Sequence, residues 1–506
     1  MNLSATQHRM EPRRVLFDVS FTCTSGKMSG IERVVRSLLR EGEAAVERMQ
    51  HEHGPIEFVP VFAANGHFYR WNAHAQAVLA QVADVERDCL GAAPTYYRQL
   101  ARLLCRCLPH SGVRRSLMPP SGHLGILKPW YRRWKKYAVV RAAEGQAAVQ
   151  ISSDDILWLP DAYWAQPSVW SAVERARIQG ALVASLVYDL IPLRSGQANP
   201  GFSDYLQHLL AQSDVALCIS ECERQSLLAF QTLSANSSIV CRDFRTIALG
   251  CEFQQVEGAV RSQFANPFDG QFGQADAPSP PNIDSLVHGK IVDGNTVDSS
   301  LASHAWAEPV YLCVNTFDPR KNHAYLLDVF DRLWAAGSIA RLCLVGRVGW
   351  ECKPILQRIA AHEQLNRRLF VFHDATDAEV NYCYARARAV ITASKDEGFG
   401  LPVVESLSRG STTLASDIPI HREVGGSACH YFDTTRVDDL ARLIGRHLSG
   451  ELELVPSPSD SEHLPKIFSW RESFDQCWTE LLASYQQRAM DKGWRPRVPL
   501  PKSKAA

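Results

Sequence analysis

Short apolar runs alternate with amphipathic, helix-period patterns along most of the 506-residue chain. In the first half these runs have the length and the composition of buried strands. They are RRVLFDVSF (13–21), EFVPVF (57–62), DILWL (155–159), ALVASLVYD (181–189), VALCIS (215–220) and FRTIAL (244–249). Strands that alternate with helices predict a parallel sheet with helices on both faces. We therefore predict an α/β domain over residues 12–254.

The alternation stops at residue 255 and resumes at 309. The segment 255–308 is rich in Gly, Pro, Ser, Asn, Asp and Gln and is longer than an ordinary domain connection, which predicts a flexible linker or insertion. A second α/β domain is predicted over 309–468. Its strands are PVYLCVN (309–315), RLCLVG (341–346), LFVFHD (369–374), RAVITAS (388–394), STTLAS (411–416) and ACHYFD (428–433).

The last predicted element is a long amphipathic helix over residues 469–490, followed by a basic, Pro-rich tail that ends at residue 506. Two α/β domains joined by a linker leave a cleft between them, and such clefts are favoured ligand sites. The carboxyl ends of the strands are therefore where functional residues are expected.

Composition and patterning argue against a membrane-spanning protein and against a metal-binding one. Hydrophobic content of 46%, charged content of 21% and a formal net charge of zero are ordinary for a soluble globular chain. The N-terminus has no apolar leader segment, and the longest apolar run, 181–193, is short for a bilayer span and contains Asp189. The 14 cysteines lack the paired spacing of metal ligands, so we expect reduced thiols, no metal site and a cytoplasmic location.

Local charge is far from neutral in one segment, 98–141, which holds eleven Lys and Arg residues and no Asp or Glu. Trp130, Tyr131, Trp134 and Tyr137 lie among these cations. This mixture suits an anionic membrane surface, where it could hold the protein near a lipid-linked substrate. A solvated insertion explains the segment equally well, and we expect no nucleic-acid partner.

The stretch DEGFGLPVVES (396–406) carries two glutamates, Glu397 and Glu405, around a glycine turn. It follows a predicted strand, and Gly398 and Gly400 allow close approach of the backbone to a ligand. Glu405 falls in the following helix, where Pro402 occupies the position that a capping box needs for Ser or Thr. One interpretation of Glu397 and Glu405 is a helix-dipole effect, and the other is a pair of acceptors for vicinal hydroxyls.

The loop NTFDPRKN (315–322) favours the second interpretation. Arg320 and Lys321 follow the first strand of the second domain, at a predicted helix start, where cations oppose the helix dipole. Two adjacent cations there are better explained if an anion such as a diphosphate joins them.

These motifs together resemble the family 4 (group 1) retaining glycosyltransferases, most strongly over residues 311–433. The acids match the family's E-x7-E signature, and SGIERVVRSLL (29–39), VYDLIPLR (187–194) and FSWRESF (468–474) are similar to other family segments. The resemblance is to bacterial mannosyltransferase-like enzymes of polysaccharide and lipopolysaccharide assembly. It implies the GT-B fold, with two facing Rossmann-like domains and a last helix that crosses back to the first domain.

The resemblance implies transfer of a sugar from a GDP- or UDP-linked donor to a hydroxyl of a glycan or lipid-linked acceptor. It also implies that no metal or cofactor is needed and that the anomeric configuration is retained. The residues it implies as catalytic are Glu397, Arg320, Lys321 and Asp189. Those implied for donor binding are Gly30, Arg320, Lys321, Glu397, Gly398, Phe399, Gly400, Leu401 and Glu405.

One departure from the family pattern is Tyr188, which precedes Asp189 where many relatives have His. Tyrosine keeps a hydrogen bond but not the charge, so a non-catalytic protein that binds a glycan or a nucleotide stays open. A nucleotide-sugar epimerase built on the same two domains is the second alternative.

Overall fold

The computed structural model describes residues 12–25, 30–53, 56–85, 127–161, 163–165, 167–194, 200–233, 241–251, 260–261, 296–297, 309–452 and 465–491. The chain divides into two compact units. The first comprises Met1–Ile219, Glu223–Ala248 and Trp470–Ala506, and the second comprises Ser220–Cys222 and Leu249–Ser469.

The first unit is built on a seven-stranded sheet, in the order β3-β2-β1-β4-β5-β6-β7. Its strands are β1 Arg14–Asp18, β2 Glu57–Ala64, β3 His67–Arg70, β4 Asp155–Leu159, β5 Leu182–Val187, β6 Val215–Cys218 and β7 Asp243–Thr246. All neighbours pair in parallel except β2 and β3. Strands β1, β4, β5 and β6 are buried along their whole length, which explains their continuous apolar sequences.

Strand β3 was not predicted from the sequence. A short turn explains why the chain forms this strand directly after β2. Asn65 and Gly66 join β2 to β3 with φ angles of 50° and 75°. A two-residue Asn-Gly connection with positive φ at both positions is typical of a β-hairpin turn. The signal was therefore present in the sequence, and the antiparallel pair extends the edge of the parallel sheet.

Seven helices pack with the first sheet or connect its strands within the described part of this half of the chain. They are α1 Gly30–His53, α2 Ala73–Val85, α3 Leu127–Ala143, α4 Trp170–Ile178, α5 Ile191–Arg194, α6 Pro200–Gln212 and α7 Glu221–Leu233.

The second unit is built on a six-stranded, fully parallel sheet, in the order β12-β11-β10-β13-β14-β15. The strands are β10 Val310–Val314, β11 Arg341–Val345, β12 Leu369–Phe372, β13 Ala389–Thr392, β14 Thr413–Ser416 and β15 Cys429–Phe432. This is the strand order of doubly wound Rossmann sheets, which reverses between the first and fourth strands, here β10 and β13. Two further pairs of residues, β8 Val260–Arg261 and β9 Thr296–Val297, form a small antiparallel ladder.

The helices of the second unit lie on both faces of its sheet. They are α8 His323–Ala335, α9 Lys353–Ala360, α10 Asp377–Arg386, α11 Leu401–Leu407, α12 Pro419–Gly425 and α13 Val437–Leu448. Alternate residues of β10 enter different cores: Tyr311 and Cys313 join one cluster, and Val310 and Leu312 join the other. Because successive side chains of a strand point to opposite faces, this alternation places one apolar layer on each side of the sheet.

The last helix, α14 Trp470–Met490, belongs to the first unit. Its Phe474 ring lies 5.8 Å from the ring of Phe58 in β2 and 6.0 Å from that of Trp158 in β4. Arg245 of β7 also pairs with Glu480 at 3.2 Å. The return of this helix to the first unit is therefore held by aromatic packing and by an ion pair.

The predicted α/β class is confirmed, with two Rossmann-like units and a last helix that returns to the first unit. All the predicted strands are found. The predicted linker 255–308 lies outside the described residues except at the β8 and β9 pairs. Of the basic segment 98–141, the structure describes the backbone from residue 127, where α3 begins, and the side chains from residue 133.

Candidate functional site

The motif residues of the second unit meet where its strand order reverses. Strands β10 and β13 are parallel neighbours, so the loops at their carboxyl ends start side by side. The loop after β10 carries Arg320 and Lys321, and the loop after β13 carries Glu397. The Lys395 N–H donates to the Arg320 carbonyl at 2.9 Å and joins the two loops. Open α/β sheets bind ligands at this kind of position.

The loop after β10 is fixed by a local cap. The carboxyl of Asp318 accepts from the N–H groups of Arg320 and Lys321, at 3.0 and 3.2 Å, and Pro319 begins a short 3₁₀ helix. Asn322 then adopts a left-handed conformation with φ of 58° before α8 starts. The sequence Asp-Pro-Arg-Lys-Asn therefore folds locally into a turn that holds both cations in place.

Glu397 is the partner of both cations. One of its carboxyl oxygens accepts from Arg320 Nη1 at 2.7 Å, and the other accepts from Lys321 Nζ and from the Ser394 hydroxyl, the latter at 2.6 Å. Glu397 and Lys321 are only 7% and 8% exposed, whereas the Arg320 side chain is 24% exposed. The cluster is therefore a buried charge network with its guanidinium at the accessible side.

The balance of forces keeps Glu397 ionised. Burial alone raises its pKa, but the attraction of Lys321 and Arg320 and the hydrogen bonds from Lys321 and Ser394 outweigh burial and lower the pKa from 4.5 to about 2. At neutral pH this carboxyl is an acceptor and not a proton donor.

The glycine turn after Glu397 has a conformation that only glycine adopts easily. Gly400 has φ of +82°, and a Cβ there would lie 3.2 Å from Cδ2 of His421. Helix α11 begins at the next residue, Leu401, with a proline in its first turn, as the sequence indicated. His421 is fully buried beneath the turn, and burial lowers its pKa.

Glu405 lies on α11 and has a different partner from Glu397. The Tyr384 hydroxyl donates to Glu405 Oε2 at 2.9 Å, and both residues are buried. The structure therefore brings Arg320, Lys321 and Glu397 into one cluster. Glu405 is instead hydrogen-bonded to Tyr384 of α10.

Comparison with known proteins shows which family the sequence of the second unit is similar to. Residues 302–459 match the family model described as "Glycosyl transferases group 1". Residues 302–459 are therefore similar to a group 1 glycosyltransferase domain. The resemblance predicted from the sequence is therefore confirmed, and the charge cluster lies inside the group 1 domain.

Three relatives of the chain are mannosyltransferases by name. The serotype-specific mannosyltransferase WbdA of Escherichia coli is 28% identical over 310 residues, which cover 58% of this chain and 33% of that protein. The O-antigen chain mannosyltransferase B of Escherichia coli is 28% identical over 176 residues, 35% of this chain and 45% of that protein. The O-antigen chain mannosyltransferase RfbU of Salmonella typhimurium is 28% identical over 118 residues, 23% of this chain and 32% of that protein. The chain thus spans about a third of the length of WbdA.

Two solved structures align with 94% of the chain at low sequence identity. HepE of Anabaena, in complex with UDP and glucose, has a TM-score of 0.46 and 11% identity over 94% of this chain and 98% of that one. Sucrose-phosphate synthase of Thermosynechococcus elongatus has a TM-score of 0.49 and 14% identity over the same shares.

Outside the group 1 domain, the predicted residues Gly30 and Asp189 lie in the first unit. Gly30 is the first residue of α1, and a Cβ there would meet none of the described residues within 4 Å. Asp189 follows β5 and accepts from the Ile191 N–H at 3.2 Å, at the start of the short helix α5. Tyr188 is buried and its hydroxyl donates to the Pro160 carbonyl at 2.6 Å, so its hydroxyl joins the ends of β5 and β4.

Sequence reasoning missed Ser394, Tyr384 and His421. Ser394 had a weak signal, because it ends the strand before the Glu397 loop. Tyr384 and His421 had none, because only the packing of α10 and α12 brings them to the two glutamates and the glycine turn. In the part of the chain that the structure describes, no group of three or more His, Cys, Asp or Glu residues could hold a metal ion. No helix among the same residues has the length and apolarity to cross a bilayer.

Proposed function

We propose that the protein is a retaining glycosyltransferase that moves a sugar from a nucleotide-sugar donor to a hydroxyl of a glycan or lipid-linked acceptor. The observation that carries the proposal is the Arg320–Lys321–Glu397 cluster at the strand reversal of a group 1 domain. The mannosyltransferase relatives make mannose the first candidate for the transferred sugar.

The two cations suit the donor's diphosphate. A phosphate charge about 4 Å from one cation gains about 4 kcal/mol at the effective dielectric constant of a protein surface. Arg320 offers a partly exposed fork of N–H donors, and Lys321 adds a buried point charge. When the bond from the sugar to the phosphate breaks, negative charge grows on the leaving diphosphate, and these fixed cations stabilise it without metal or cofactor.

Glu397 and Glu405 take different parts in this proposal. Because its pKa is lowered, Glu397 stays charged and accepts hydrogen bonds from the donor sugar while it orients both cations. Glu405 accepts from the ribose hydroxyls. The Gly398–Leu401 backbone lies against the sugar and the phosphate, in the turn that the left-handed conformation of Gly400 forms.

The reaction is a front-face displacement. The acceptor hydroxyl gives its proton to an oxygen of the leaving phosphate, the sugar's anomeric carbon bonds to the acceptor oxygen, and the bond to the phosphate breaks on the same face. Retention of configuration follows from this geometry. Gly30 and Asp189 of the first unit are proposed to contact the phosphate and the sugar or acceptor.

We further propose a role in cell-surface polysaccharide or lipopolysaccharide synthesis at the cytoplasmic face of a membrane, with the basic segment 98–141 as the membrane contact. Sedimentation with anionic and neutral vesicles tests this contact. Salt-sensitive binding to anionic vesicles alone supports it. Equal binding after the cations are changed to Gln refutes it.

A transfer assay tests the activity. The full chain is incubated with a panel of GDP- and UDP-sugars and a glycan- and lipid-containing extract, and released nucleoside diphosphate and extended product are measured. We expect transfer by the wild type, strong loss in Arg320→Ala, and full activity in the control Arg332→Ala, whose arginine pairs with Asp438 at an exposed site of the same unit.

The same assay separates the alternatives. A new sugar nucleotide formed without acceptor indicates an epimerase. Donor binding without hydrolysis or transfer indicates a binding protein, and either result refutes the transferase. Proton NMR of the product's anomeric centre tests retention, since the donor's configuration must reappear in the product.

A further inference from the structure

Glu405 is held by a tyrosine from a neighbouring helix. Tyr384 lies near the end of α10, and its hydroxyl donates to Glu405 Oε2 on α11 at 2.9 Å. The two residues are 1% and 4% exposed. The hydrogen bond thus joins two helices below the surface, next to the turn that begins at Glu397.

The hydrogen bond joins a ring in an apolar core to a charged group on the next helix. The Tyr384 ring belongs to the apolar cluster of Val310, Leu312 and Phe372, where a phenylalanine ring would fill the same space. The Glu405 carboxyl makes no capping box, because Pro402 occupies the Ser/Thr position. Replacing both partners of a buried hydrogen bond by apolar groups of the same shape can be nearly neutral for stability.

A third residue fixes the tyrosine ring. The Arg409 guanidinium lies 4.6 Å from the centre of the Tyr384 ring, and its Nη1 donates to the Glu405 carbonyl at 2.6 Å. Its Nη2 donates to Asn381 Oδ1 at 2.9 Å. The arginine thus ties the end of α11 to α10 and lies over the face of the Tyr384 ring.

We propose that Tyr384 is a positioning residue for nucleoside recognition, which fixes one oxygen of Glu405 so that the carboxyl meets the two ribose hydroxyls of the donor in a single orientation. This inference rests on the proposed function. Tyr384 does not touch the ligand. Its hydroxyl sets the plane of the Glu405 carboxyl. A carboxyl that is already oriented lowers the entropic cost of binding a diol.

Calorimetric titration of the full chain tests the inference. The probes are GDP, UDP and their 2′,3′-dideoxy analogues, and the variants are Tyr384→Phe, Glu405→Ala and the double variant. Tyr382→Phe is the matched control, because it removes a phenol hydroxyl from the same helix. We expect Tyr384→Phe to weaken the ribonucleotide about tenfold and the dideoxy analogue hardly at all, with no further loss when it is added to Glu405→Ala.

Each variant is compared with itself on two ligands, so partial unfolding lowers both affinities and does not imitate the expected difference. Unchanged ribonucleotide affinity in Tyr384→Phe overturns the inference and leaves the proposed function standing. Equal loss for both ligands also overturns it, since that result shows a purely structural hydroxyl. If the wild type binds neither nucleoside diphosphate, the proposed function fails together with the inference.

Discussion

Replacement of Glu397 by Gln probes the charge network with almost no change in side-chain volume. Glutamine keeps the shape but not the charge, and it leaves Lys321, 8% exposed, beside Arg320 without its anion. The difference between the pKa of 4.5 and that of about 2 in the folded protein corresponds to about 3 kcal/mol of folding free energy at neutral pH. Loss of one partner from a buried ion pair costs about the same, roughly 3–5 kcal/mol. We therefore expect Glu397→Gln to lower the free energy of unfolding by about 3 kcal/mol at pH 7.

The pH dependence gives a second, independent signature. The pKa of Glu397 is depressed in the folded state, so its contribution is complete above the unfolded value of 4.5 and disappears as the pH falls through about 2. Linkage predicts that about 2 kcal/mol of the contribution is already lost at pH 3. The difference between wild type and variant should therefore shrink to about 1 kcal/mol at pH 3.

Urea denaturation at pH 7 and pH 3 measures both values. The control is Glu363→Gln, the same change at an exposed carboxyl of the same unit, for which we expect a difference within about 0.5 kcal/mol. A Glu397→Gln variant as stable as the wild type at pH 7, or a deficit that does not depend on pH, would refute the description of this cluster as a buried ion network.

Three further predictions concern the site and its support. Arg320→Ala should slow sugar transfer by about 10²–10³, as is typical when one group that stabilises the transition-state charge is removed. It should lower the melting temperature less than Glu397→Gln does, and an equal drop in melting temperature for the two variants would contradict this. Gly400→Ala should destabilise the protein by about 1–2 kcal/mol, because φ is +82° and the new Cβ meets His421, and thermal melting tests this. Leu481→Ala, in α14, should cost about 2–5 kcal/mol in urea denaturation, because Leu481 is fully buried; a cost below 1 kcal/mol would show that this helix does not pack on the first unit.

The apolar periodicity of the chain was enough to locate the strands. Strands such as Asp155–Leu159 and Leu182–Val187 are buried on both faces, so they read as continuous apolar runs with clear limits. One exception, His67–Arg70, is an edge strand with one buried residue in four, and its sequence carries little apolar signal. Only the Asn65-Gly66 turn marks it.

The site was predictable where its chemistry is local. Arg320, Lys321 and Glu397 follow strands that the pattern had identified, and parallel strands bring their carboxyl ends to one edge. The pairing of Glu397 with both cations was not predictable, because it depends on the strand order that makes β10 and β13 neighbours. Tyr384 was beyond sequence reasoning for the same reason, since its contact with Glu405 joins two helices that only tertiary packing brings together.

The family resemblance added roles that local chemistry alone does not give. The carboxyls of Glu397 and Glu405 looked equivalent in sequence, yet one is held by two cations and the other by a phenol. This difference arises from the neighbours of each helix and loop. The two acids are therefore proposed to serve different parts of the donor.

The most direct test of the central claim is the calorimetric affinity of the wild type and of Arg320→Ala for GDP and UDP, each compared with its nucleoside. We predict that the wild type binds one diphosphate far more tightly than its nucleoside, and that Arg320→Ala loses about 1.5–3 kcal/mol of that preference, the value of a hydrogen bond to a charged group. Equal affinity of wild type and variant for the diphosphate would contradict the proposal that this cluster holds the donor's negative charge.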